Sequence, residues 1–183
     1  EKAELITQRL RMLGTQITET GIRPCASPVG RIMAYASTKV KAISTILSSE
    51  MQALGGDIRA VIITDFEKTS ATTLVEGVMD DEAGGAVAAF RQAVQCDNVD
   101  LLNPILMTGS TVLVDDDLAE EFLAAANNWI EERSLAITLV DEIRGDYHEI
   151  VGKGKDWIPR YYSLMITEFF QLGITKCLIG TRG

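Results

Sequence analysis

Arg59-Ala60-Val61-Ile62-Ile63-Thr64-Asp65 is the stretch on which the reading of the fold turns. Its apolar centre is too short for a helix, is rich in β-branched residues, and ends in charge on both sides. An apolar run without alternation predicts a strand covered on both faces, as in a parallel sheet. Upstream, Val40, Ile43, Leu47 and Leu54 recur at helical spacing, which predicts a helix over 38–54. Ser37 or Thr38 can cap it and Gly55-Gly56 can end it.

Downstream, 67–82 reads as a loop with a short strand, followed by a helix over 84–96 that turns Val87, Phe90 and Val94 inward. Pro104 to Thr108 and Thr111 to Val114 predict two short strands interrupted by Gly109-Ser110. Asp115-Asp116-Asp117 opens a helix whose apolar stripe is Leu118, Phe122, Ala126 and Trp129. Asp117 and Glu120 have capping-box spacing, and three acids suit the positive end of a helix. Ala136–Val140 and Tyr147–Val151 predict a hairpin across Arg144-Gly145-Asp146. A helix over 157–172 places Ile158, Tyr161 or Tyr162, Met165 and Phe169 inward and stops at Gly173. The last strand is Lys176 to Gly180.

Apolar strands alternating with amphipathic helices predict an α/β domain over 38–183, with a largely parallel sheet and helices on both faces. Residues 1–37 read as a helical extension and connector. Ile6, Leu10, Leu13 and Ile17 form the stripe of a helix over 3–20, and Pro24, Pro28 and Gly30 mark the connector. In parallel sheets, ligands bind beyond the carboxyl ends of the strands. Three such ends are chemically distinctive: Thr64-Asp65-Phe66-Glu67, Thr108-Gly109-Ser110 and Gly180-Thr181-Arg182-Gly183. A parallel unit normally continues from such a final turn into a helix, so the chain is expected to be a piece of a longer protein.

Composition narrows the function. The chain has 183 residues, 46% of them hydrophobic, enough for a sizeable core. No window is apolar enough to span a membrane, and no membrane partner is expected. Three scattered cysteines, Cys25, Cys96 and Cys177, and a single histidine, His148, fit a reducing, cytoplasmic setting with no zinc site. The net charge of −9 argues against a nonspecific polyanion binder. That charge is uneven, however: residues 1–143 carry −11 and residues 144–183 carry +2. Arg144, Lys153, Lys155, Arg160, Lys176 and Arg182 alternate there with Tyr147, Trp157, Tyr161 and Tyr162, so a nucleic-acid surface is sought in this quarter.

Several catalytic motifs are excluded. Gly152-Lys153-Gly154-Lys155 lacks the Ser or Thr that a phosphate-binding P-loop needs after its lysine. Asp80-Asp81-Glu82-Ala83 precedes Gly84-Gly85 and a helix, not the end of a buried strand where Mg²⁺ would be held. Asp65 lacks the partner lysine of an aspartate phosphatase, and Ser110 lacks the G-x-S-x-G elbow of a hydrolase. No catalytic residue and no metal ligand is assigned.

The strand ends, in this order, resemble the second RecA-like domain of DEAD/DEAH-box-type superfamily 2 helicases. "RAVIITDFE" (Arg59 to Glu67) resembles motif IV, "PILMTGST" (Pro104 to Thr111) the following strand, and "ITKCLIGTRG" (Ile174 to Gly183) the start of motif V. The resemblance covers about 38–66 and 100–183. It implies a RecA-like sheet in which Thr108, Gly109, Ser110, Gly180, Thr181 and Arg182 hold a DNA or RNA strand. It also implies that ATP and Mg²⁺ are bound by the whole protein through an N-terminal RecA-like domain, and that this chain alone holds neither. Two alternatives stand beside it: a Rossmann-like module binding a phosphorylated small molecule at Thr108-Gly109-Ser110, and an inert interaction scaffold.

Overall fold

The computed structural model describes residues 2–19, 21–25, 37–65, 67 and 85–182. The expected loop and strand over 67–82 fall, apart from Glu67, outside these residues. The chain divides into two compact units, 1–37 and 38–183.

In the first unit, helix α1 (Lys2–Met12) is followed by a hairpin of β1 (Thr15–Thr18) and β2 (Gly21–Pro24). Thr15 pairs with Pro24 and Ile17 with Ile22. The helix expected over 3–20 is therefore shorter. Gly14 takes a left-handed φ of 78°, which ends the helix, and the β-branched Thr15, Ile17 and Thr18 favour a strand beyond it.

The second unit contains α2 (Ser37–Leu54), β3 (Ala60–Thr64), α3 (Gly85–Val94), β4 (Ile105–Met107), β5 (Val112–Asp115), α4 (Asp116–Glu132), β6 (Thr138–Ile143), β7 (Tyr147–Lys153), α5 (Pro159–Leu172) and β8 (Cys177–Thr181). Short 3₁₀ turns occupy Gly55–Asp57 and Val99–Leu101. Among the described residues the strands form one six-stranded sheet in the order β3-β8-β4-β5-β7-β6.

The fold class is α/β as expected, but the sheet is mixed. β3, β8 and β4 run parallel, while β5, β7 and β6 pair antiparallel. Connection length explains the difference. Residues 108–111 between β4 and β5, and 144–146 between β6 and β7, can close a hairpin but cannot make a crossover. The hairpin over Arg144-Gly145-Asp146 was legible in the sequence. Ile143 pairs with His148, and Gly145 takes a φ of 83° in the turn.

Alternate residues along each strand feed two cores. On one face Leu106, Leu113, Cys177 and Ile179 pack under Leu47 and Met51 of α2 and Phe90 and Ala93 of α3. On the other, Ile105, Val112, Val114 and Ile150 meet Phe122 and Trp129 of α4 and Met165 and Phe169 of α5. The helices therefore cover both faces. The two helices of the second core are also tied by polar contacts. The Trp129 indole N–H donates to Glu168 at 2.7 Å, and Arg133 stacks 4.1 Å above the Trp129 ring while pairing with Glu168 at 3.0 Å.

Two smaller expectations need correction. Among the described residues β3 is an edge strand and is not covered on both faces: Val61 and Ile63 are 57% and 69% exposed, while the Ala60 and Ile62 side meets a core. Leu54, expected in the buried face of α2, is also exposed, and Met51 takes that place. Ile158 likewise stays exposed, just before α5.

All three cysteines are free. Cys96 and Cys177 lie in the first core, and burial pushes the Cys177 thiol up to about 12. We expect a thiol reagent at pH 8 to modify Cys25 promptly in the native protein and the other two only after denaturation. Equal rates for all three would contradict the packing of the first core.

Candidate nucleic-acid interface

Parallel pairing brings the three distinctive strand ends to one edge. Thr64 lies opposite Thr181, and Met107 opposite Gly180, so Thr108 and Thr181 leave adjacent strands together. The ends are also stitched to each other. The Arg182 N–H donates to the Thr64 carbonyl at 2.9 Å, and the Thr64 hydroxyl donates to the Gly180 carbonyl at 3.5 Å. β7 runs antiparallel to β5, so its last residue, Lys153, reaches this same edge.

The turn 108–111 is organised around one carboxylate. Thr108 and Ser110 hydroxyls both donate to Glu67 Oε2 at 2.7 Å, and the Thr111 hydroxyl donates to Oε1 at 2.6 Å. The Thr108 hydroxyl oxygen in turn accepts the N–H groups of Ser110 at 3.3 Å and Thr111 at 3.0 Å. The Tyr162 hydroxyl donates to the Thr108 carbonyl at 2.9 Å. Burial, and to a lesser extent the charge of Glu67, raises the Tyr162 phenol above its ordinary value.

The six residues singled out from the sequence are thus close in the fold but differ in what they offer. Thr108 is buried and fully engaged, so it shapes the turn. Ser110 and Arg182 are exposed, and Thr181 is half-buried. Gly109 is exposed, has no positive φ, and a Cβ there would meet nothing within 4 Å. Neither backbone strain nor crowding demands glycine at that position, and the space above it is open to a ligand. At Gly180 packing is the reason for glycine: a Cβ would sit 3.1 Å from the Met107 carbonyl oxygen. Gly183 lies outside the described residues. Sequence reasoning did not foresee Glu67 or Thr111 as the partners that hold the turn, although both stand inside stretches that it singled out.

The basic tail does not form one patch. Lys153, Lys155 and Arg182 lie toward this edge. Arg144 sits at the other edge, bound to Glu142 at 2.7 Å and Glu149 at 3.0 Å, and Lys176 precedes the first residue of β8 there. His148 Nδ1 meets Asp141 at 2.7 Å on the hairpin, away from Ser110.

The opposite edge is acidic. Asp115 ends β5 and stands at the N-cap of α4, but its side chain makes no capping bond, and the helix begins at Asp116. The capping box expected from Asp117 and Glu120 does not form, because Asp117 already lies inside the helix. Asp115 is 0% exposed, and neither carboxylate oxygen has a hydrogen-bond partner. Burial, then the charges of Asp116, Asp117, Asp100 and Asp146, raise its carboxyl to about 7.

A groove of about 470 Å³ runs between α2 and β3, lined by apolar residues together with Glu50 and Arg59, and contains none of the six site residues. Among the described residues, no helix is long and apolar enough to cross a membrane. No protein-family model, curated protein or solved structure matches the chain.

Proposed function

We propose that residues 38–183 form the C-terminal motor domain of a superfamily 2 helicase-type ATPase, with a RecA-like fold, and that the edge bearing Ser110, Thr181 and Arg182 holds a nucleic-acid backbone. The observation that carries this reading is the meeting of Thr64 and Glu67 with the 108–111 and 180–182 segments at one edge of a three-stranded parallel array, beside Lys153. Short hydroxyls, an open glycine and a few cations fit phosphate oxygens and carry no base readout. In this reading an N-terminal RecA-like domain supplies the P-loop, so ATP and Mg²⁺ bind where the two domains meet.

The turn also offers a means of regulating such a site. Three hydroxyls converging on one carboxylate form a set of donors suited to an anion. Glu67 satisfies them internally, and its negative charge opposes an incoming phosphate. Removing that charge while keeping the acceptor oxygen therefore favours nucleic acid. Fluorescence anisotropy with labelled single-stranded DNA and RNA tests this. The 183-residue chain is expected to bind on the order of 10⁻⁴ M, more weakly as salt rises. Arg182→Ala should weaken binding about 3–10-fold, and Glu67→Gln should strengthen it by a similar factor. The absence of salt-sensitive binding in wild type and Glu67→Gln alike would refute the proposal. Tight binding of a phosphorylated metabolite with indifference to nucleic acid would favour the small-molecule reading instead.

A further inference from the structure

The acidic edge, opposite the proposed nucleic-acid edge, has its own chemistry and does not depend on that reading. Carboxylate oxygens of Asp115, Asp116 and Asp117 all lie within 4.8 Å of one another. Asp115 is the deep member, without exposed surface and with both oxygens unpartnered, and it faces the two exposed members at the helix start. Its direction follows from the strand. Val112 and Val114 face the α4–α5 core, so Leu113 and Asp115 face the other side, where α3 packs and where Tyr147 lies opposite Asp115 in the ladder.

Elements from two further parts of the chain bring charge to this point. Asp100 comes from the 3₁₀ turn after α3 and its charge acts on both Asp115 and Asp117, and Asp146 comes from the β6–β7 turn. The strongest charges acting on Asp115 are all acidic. The nearby basic residue on α3, Arg91, donates to the Tyr147 hydroxyl at 3.0 Å, and Arg144 is bound to Glu142 and Glu149.

A buried carboxylate without a partner is costly, and the cost is met by a proton, a cationic side chain or a metal ion. Among the described residues, no cationic side chain bonds to Asp115. The start of α4 opposes a cation with about half a positive charge, which several converging carboxylates outweigh. The donors are all oxygen, so the suitable ion is hard. We propose that Asp115, Asp116 and Asp117, with Asp100 beside them, form a binding site for a divalent cation of the Ca²⁺ or Mg²⁺ class, with water completing its coordination. Ca²⁺ is the better match, since it accepts several carboxylates in irregular geometry while Mg²⁺ demands near-octahedral order.

Isothermal titration of the chelator-stripped 183-residue chain at pH 7.5, with CaCl₂ and MgCl₂ separately, tests the proposal. One site is expected, with a Kd on the order of 10⁻⁵–10⁻³ M and tighter for Ca²⁺. A hundred-fold excess over Kd should raise the melting temperature by roughly 5–10 °C. Asp115→Asn should weaken binding at least ten-fold and remove most of the thermal shift. Asp117→Asn, an exposed change that leaves the buried group in place, should weaken binding by several-fold and serves if Asp115→Asn does not fold. No saturable binding of either ion up to about 10 mM overturns the proposal, and so does unchanged affinity in the variants.

Discussion

Asp115→Asn should make the protein more stable at pH 8 and abolish most of its pH dependence in a chelating buffer. The wild-type carboxyl titrates near 7 in the folded state against an ordinary value of 3.8. Between those values the folded chain holds a proton that the unfolded chain has lost. Stability is therefore fully present below about pH 4, falls as pH rises through about 7, and stays low above it. At about 1.36 kcal/mol per unit, the full shift amounts to roughly 4 kcal/mol. Solvent reaching the exposed members of the cluster lowers this to about 2–4 kcal/mol. Asparagine resembles the protonated carboxyl in shape and carries no charge, so it keeps the low-pH stability at all pH values. Urea denaturation at pH 5 and pH 8 reads the effect. A wild-type protein as stable at pH 8 as at pH 5, with the variant showing no gain, would show that Asp115 finds a partner in solution.

The second large effect is expected at Gly154. Its φ is 126°, a region costly for any other residue, and a Cβ there would drive into the Ala136 carbonyl oxygen. Two faults act together. Strained backbone costs about 1–3 kcal/mol, and forcing atoms into a packed site costs a similar amount. Gly154→Ala should therefore destabilise by about 3–5 kcal/mol and lower the melting temperature by roughly 10 °C. Gly145→Ala is the control, since φ is 83° there but nothing lies within 4 Å of the added carbon. It should cost only about 1–2 kcal/mol. Equal losses at the two positions would show that close approach to Ala136 contributes nothing. The change also bears on the proposed interface. Gly154 separates Lys153 from Lys155, and a Cβ on neighbouring Gly152 would overlap the Trp157 indole.

The parallel half of the sheet was legible because β3, β4 and β8 are apolar runs bounded by glycine, proline or charge. Their shared edge follows once they are read as parallel. The antiparallel half was legible only at Arg144-Gly145-Asp146, where turn chemistry is explicit. Helix α1 was overextended because Ile6, Leu10, Leu13 and Ile17 keep helical spacing across Gly14, and spacing alone does not register the break. The candidate site was legible as a set of strand ends, but its internal wiring was not. Glu67 reaches the 108–111 turn across more than forty residues of sequence. The three aspartates at 115–117 look alike in sequence, and only the register of β5 against β7 buries the first and exposes the others.

The position of β8 has a consequence for how the chain is made. Of the six strands in this sheet, β8 is the last in sequence, and it lies between β3 and β4. Neighbouring strands sit about 4.8 Å apart, so β3 and β4 stand two spacings from each other and cannot pair until β8 enters. During synthesis the β4–β7 hairpins can form, while β3 waits with α2 on an unfinished flank. Ile179 and Cys177 close the first core only once β8 arrives. Nascent chains that stop short of Cys177 should therefore expose Ile62 and Leu106 and be held by chaperones or degraded, whereas those extending past Thr181 escape.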